Sequence, residues 1–177
     1  MVHALKIWCL ALCFVVLGAI AAPTSLAAPP LPEAPAPIAA LPGFKAIFSG
    51  QRPDNLGVQA GHLAPCPSSP NCVVSQGGDA THTIAPLTYE GDGAAAIAAL
   101  AEVVAAQPRS EIIQQQDDYL YAEFTSRLMG FVDDVEFYAS PDTPGELQVR
   151  AAARLGESDL GVNRDRIETI RAAFTAA

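Results

Sequence analysis

Three carboxylates stand within four positions at Asp133-Asp134-Val135-Glu136, and four arginines, Arg150, Arg154, Arg164 and Arg166, follow within 17 residues of one another. Carboxylates at that density can ligate a cation or move protons, and guanidiniums can pair with them or hold an external anion. Cys66 and Cys72 close the short segment Cys66-Pro67-Ser68-Ser69-Pro70-Asn71-Cys72, too widely spaced for a Cys-x-x-Cys redox pair. With only His62 and His82 to complete a zinc site, a disulfide is the natural outcome in an oxidising compartment, worth about 2 kcal/mol for a loop this short. Neither histidine completes a Ser-His or Cys-His pair or a metal-ligand set, so no nucleophilic mechanism is spelled out and no metal or cofactor is expected.

The elements that must place these groups are legible from periodicity. Residues 82–89 read as a strand, and Asp92 can cap a helix over 93–107 whose Ile97, Leu100 and Val104 share one face before Pro108 ends it. Strands over 110–116, 119–127, 131–139 and 146–154 are separated by short turn signals, and a helix over 164–175 follows Asn163 as its cap. The order β-α-β-β-β-β-α, with one apolar stripe on each helix, predicts an α+β fold. A single antiparallel sheet of about five strands carries both helices on one face, an element order similar to TATA-binding-protein-like or helix-grip folds. Alternation then sends Leu120, Ala122, Phe124, Ser126, Phe131, Asp133, Val135 and Phe137 toward the helices. The opposite face receives Tyr121, Glu123, Arg127, Asp134, Glu136, Arg150 and Arg154 as cross-strand neighbours. Asp133 is thereby parted from Asp134 and Glu136, which argues against a three-carboxylate cation site.

Ahead of this domain, His3 and Lys6 precede an apolar run from Ile7 to Ala22 and a small-residue stretch ending at Ala27, the pattern of an export signal over 1–27 cleaved near Ala27. Residues 28–42 carry six prolines and no hydrophobic period, so they read as a Pro/Ala-rich linker, with one domain over 43–177. The chain has 19 acids and 10 bases, net −9, and losing Lys6 with the leader leaves it near −10. That balance disfavours generic attraction to DNA, RNA or anionic lipid, because phosphate binding is supplied mainly by clustered Lys and Arg. Membrane contact is expected only if the leader is retained as an anchor, and the destination is a periplasm or a thylakoid lumen.

Several blocks are recognisable. Arg52-Pro53-x-x-Leu56-Gly57-Val58 is followed by Leu63-Ala64-Pro65-Cys66-Pro67-x-x-Pro70-Asn71-Cys72-Val73-x-Ser75 and by Tyr119-Leu120-Tyr121-Ala122-Glu123. Further on stand Gly130-Phe131-Val132-Asp133-Asp134-Val135-Glu136-Phe137 and Arg154-Leu155-Gly156-x-Ser158-Asp159-x-Gly161-x-Asn163-Arg164-x-Arg166. Together they resemble the domain of unknown function 1499 family over roughly residues 50–174. The chain departs from it at Ala151-Ala152-Ala153, where the family often has serines. The resemblance implies domain limits and no particular activity.

Arg164 and Arg166 in the first turn of the last helix oppose its macrodipole by about 0.3–1 kcal/mol, so an anion or internal carboxylates must offset them. The leading expectation is an exported, non-catalytic binding module that holds a small anionic ligand or a protein partner. Its anion site would comprise Arg150, Arg154, Asn163, Arg164 and Arg166, beside the charged face of Tyr121, Glu123, Arg127, Asp133, Asp134, Glu136 and Asp159. The alternatives are a hydrolase-like enzyme using Asp133 or Glu136 with arginine stabilisation, and a structural envelope protein.

Overall fold

The computed structural model of the chain describes residues 48–176; the expected export signal and Pro/Ala-rich linker lie outside the described residues. In chain order the elements are β1 (Cys72–Val74), β2 (Leu87–Thr88), α1 (Gly93–Ala105), β3 (Ser110–Gln115), β4 (Tyr119–Thr125), β5 (Val132–Ala139), β6 (Glu146–Ala153) and α2 (Val162–Thr175). They build one antiparallel sheet of six strands, ordered β1-β6-β5-β4-β3, with β2 also pairing with β6. The α+β class and the single sheet with two helices match the expected architecture.

Two elements differ from the periodicity. The expected strand over 82–89 contracts to Leu87–Thr88, because Pro86 offers no amide to a ladder and His82 is drawn into side-chain bonds with Asp79 and the Ser69 carbonyl. The edge of β6 is instead shared by β2, at Leu147 and Glu146, and by the unforeseen β1, at Arg150 to Ala152. The disulfide explains β1: Cys66 and Cys72 are bonded, so the loop is clamped where the strand begins, and the Ala153 N–H donates to the Asn71 carbonyl just before it. Replacing both cysteines with alanine is expected to lower unfolding free energy by about 2 kcal/mol. Urea denaturation checks this, and an unchanged midpoint would mean the clamp contributes nothing.

Both helices cover the same face. Ile97, Leu100 and Val104 of α1 and Ile167 and Ile170 of α2 pack with Leu120, Ala122 and Phe124 of β4, Val135 and Phe137 of β5, and Leu147, Val149 and Ala151 of β6. Asp92 caps α1 as expected, its carboxylate accepting from the Ala95 N–H at 3.0 Å. Asn163 does not cap α2. It lies fully buried inside the first turn, while the Asp159 carboxylate takes the Gly161 and Asn163 N–H groups. An aspartate two residues before the turn at Gly161 reaches those amides, which leaves Asn163 to donate to the Asn71 carbonyl and accept from Arg166.

Candidate functional site

The strand alternation gathers the charged side chains on the face away from the helices, where Tyr121, Glu136 and Arg150 fall on one cross-strand row and Glu123, Asp134 and Ala152 on the next. That face is not open. Residues 52–63 form a strap across it, with Leu56, Val58 and Leu63 packed on Tyr119, Tyr121, Tyr138 and Ile113. The expectation of an accessible charged face is corrected by this layer, and Glu136 and Asp134 are left 0% and 1% exposed.

Under the strap the charges satisfy one another. The Arg154 guanidinium donates to Asp134 at 2.6 and 2.9 Å, to Glu123 at 2.5 Å and to the Tyr121 hydroxyl at 3.1 Å, while that hydroxyl donates to Asp134 at 2.6 Å. Glu136 accepts from Tyr119 at 2.8 Å, from the Gly57 N–H of the strap at 2.7 Å and from Arg150 at 3.2 Å. Arg52 ties the strap down from outside, donating to Glu123 at 2.8 Å with its guanidinium 5.6 Å from the Tyr121 ring centre. Burial pushes the Tyr119 and Tyr121 hydroxyls well above their ordinary range, reinforced by Glu136 and Asp134 respectively, so both act as donors at any working pH. Burial also pushes the Glu123 carboxyl upward, but bonds from Arg154, Arg52 and Tyr121 together outweigh it and hold the group below its ordinary value.

The remaining arginines expected at an anion site also have internal acceptors. Arg164 donates to the Thr81 and Thr83 carbonyls, and Arg166 donates to Asp133 at 2.7 Å and to the Asn163 side chain. Of the five residues expected to hold an anion, Arg150 and Arg154 are enclosed beneath the strap, Asn163 is buried, and Arg164 is bonded to two carbonyls of the connection between β1 and β2. Only Arg166 faces a groove.

That groove, about 320 Å³, lies at the helix-side end of the sheet, between the turn after α1, the end of β4 and the start of α2. Asp133 and Arg166 form its wall with Phe124, whose ring centre is 4.8 Å from the Arg166 guanidinium. Arg109 and Arg127 stand on its rim, both exposed. Arg127 belongs here and not on the opposite face: β4 ends at Thr125, so alternation no longer governs its direction. Arg109, Phe124 as a groove residue, and the strap residues Arg52 and Gly57 were not singled out by spacing. No periodicity links them to Asp133 or Glu136, and the blocks that contain Arg52 and Gly57 are their only sequence signal. Among the described residues no group of three or more His, Cys, Asp or Glu side chains is arranged to hold a metal ion.

Desolvation raises the Asp133 carboxyl above its ordinary value of 3.8, outweighing the pull of Arg166. The folded chain therefore keeps this proton after the unfolded chain has released it. The group's contribution to stability is whole below pH 3.8 and declines as pH climbs through its raised value. Denaturation followed from acid to neutral pH should show this component in the native chain and lose it in Asp133→Asn, whatever that variant's absolute stability. Identical slopes would refute it.

A family model described as "Protein of unknown function (DUF1499)" matches residues 62–174. Neither the curated proteins nor the solved structures contain a match.

Proposed function

The chain belongs to the DUF1499 family, a premise that assigns no reaction, and we propose that it is an exported, non-catalytic binding module whose ligand is a small anion held in the groove between β4 and α2. One observation carries the reading: Arg109 and Arg127 flank a concave site whose wall already holds Arg166, and Arg127 has no hydrogen-bond or ion-pair partner among the described residues. Three guanidiniums against the single carboxylate of Asp133 leave the groove net positive in an acidic protein. Planar bidentate donors suit carboxylate, sulfate or phosphate groups. Export is supported by the leader-like N-terminal sequence and by the Cys66–Cys72 disulfide.

The hydrolase reading is weaker on the same geometry. Glu136 is sealed from solvent, and the groove that holds Asp133 is lined by Thr125, Ser126 and Thr169 without a histidine to activate a hydroxyl. Melting temperature measured at low salt with phosphate, sulfate and acetate tests the binding reading. Stabilisation of the native chain is expected, and its loss in Arg127→Ala, a substitution that disturbs no internal pair. No shift in the native chain, or an equal shift in Arg127→Ala, would exclude the groove as an anion site. Fractionation of cells making the full chain tests export, which fails if the protein stays in the compartment of synthesis with Cys66 and Cys72 reduced.

A further inference from the structure

The exposed large apolar side chains among the described residues are Leu128, Met129, Phe131, Leu155, Leu160 and Val162. Singly, such residues mean little; gathered together they mark a contact surface. These six come from the turn between β4 and β5 and the connection from β6 into α2, which antiparallel pairing brings to the same end of the sheet. The Arg154 N–H donates to the Val132 carbonyl, linking the start of one loop to the end of the other, and Val162 and Arg127 line one groove. Leu160 is 92% exposed and Leu128 67%, and Phe131, expected from alternation to face the helices, is 38% exposed because β5 begins only at Val132.

The charges are polarised along the same axis. The loops at the far end, 89–92, 116–118 and 140–145, contain Glu90, Asp92, Asp117, Asp118 and Asp142, all exposed, and no Lys or Arg. The apolar end carries Arg109 and Arg127 on its surface; among its acids Asp159 is engaged by the amides of α2, and Glu157, Asp165 and Glu111 are exposed, so the two ends differ in that only this one has surface arginines. The described chain also begins at this end: Phe48 meets the Phe131 ring edge-on, with centres 5.6 Å apart, and the preceding sequence holds the apolar run from Ile7 to Ala22.

We infer that this end is a docking surface for a lipid bilayer, into whose interface the two loops insert Leu128, Met129 and Leu160 while Arg109 and Arg127 meet anionic headgroups and the acidic far end faces away. Apolar loop tips with arginines at their base match the layering of acyl region and headgroups, and an anionic surface repels the opposite end. The inference does not rest on a ligand in the groove, since insertion is driven by the loop tips.

The test uses the full chain with Trp8→Phe, so that one introduced tryptophan reports. Met129→Trp, Leu160→Trp or Glu90→Trp is added in turn, and the protein is mixed with phosphatidylcholine–phosphatidylglycerol vesicles whose acyl chains are brominated. Any retained N-terminal run tethers all three proteins alike, so the contrast between sites reads orientation. Emission from Met129→Trp and Leu160→Trp should shift to the blue and fall by about half, as for side chains seated at the headgroup–acyl boundary, with Glu90→Trp unchanged. Adding Leu128→Asp to the Leu160→Trp protein should abolish the quenching without changing its melting temperature. Equal quenching at all three sites, or none at any, overturns the inference. So does a blue shift without lipid accompanied by sedimentation as a dimer, which would assign the surface to a second copy of the chain. If the groove fails to bind anions in the melting assay while this quenching pattern is found, docking stands alone.

Discussion

Arg154→Ala is expected to lower the unfolding free energy by about 3–5 kcal/mol, the usual penalty for removing one partner of a buried charge network. Among the described residues Arg154 is the one cation bonded to both Asp134 and Glu123, and it also donates to Tyr121. Without it, Asp134 has only the Tyr121 hydroxyl at 1% exposure, and Glu123 keeps Arg52 and competes with Asp134 for that one hydroxyl proton. Removing Arg52 alone should matter far less, since its guanidinium is half exposed and solvent screens the pair. Urea denaturation of Arg154→Ala and Arg52→Ala compares the two, and equal losses would show that the network is not organised around Arg154.

Glu136→Ala should be similarly damaging, by about 3–5 kcal/mol, because it strands the Arg150 guanidinium beneath the strap and removes the acceptor for Gly57 and Tyr119. The informative comparison is the double substitution Glu136→Leu with Arg150→Met. The pair carries a flaw of its own, since the buried Arg150 Nε has no acceptor among the described residues, a deficit of about 1–3 kcal/mol. Apolar replacements of similar volume should therefore recover the part of the loss that comes from the stranded guanidinium, while the Gly57 N–H and the Tyr119 hydroxyl stay without their acceptor. A double variant as unstable as Glu136→Ala would mean that the pair is indispensable to the strap's seat.

How much of this could be read from the residues follows from which interactions are periodic. Strands β3 to β6 and both helices were legible because each presents one apolar set at its own period, and that alternation also placed Asp134, Glu136, Arg150 and Arg154 on one face. The strap was not legible. Residues 52–63 have no period, and their seat depends on a backbone amide at Gly57 and on the turn at Ala60 and Gly61, both with positive φ. Asn163 passed for a cap because its type and position allowed it, whereas the helix already starts at Val162 and Asp159 takes the Gly161 and Asn163 amides from before the turn. The groove escaped notice for a related reason: it joins the end of a strand, a helix start and the turn holding Arg109, three places where alternation has stopped.

The family match opens at residue 62, whereas Arg52, Leu56, Gly57 and Val58 precede it. A fragment trimmed to the matched limits would thus arrive without its cover, wetting three tyrosines and a set of ion pairs that the intact chain keeps dry. Anyone preparing the isolated domain should start no later than residue 50, or the purified material will report the behaviour of an unroofed sheet.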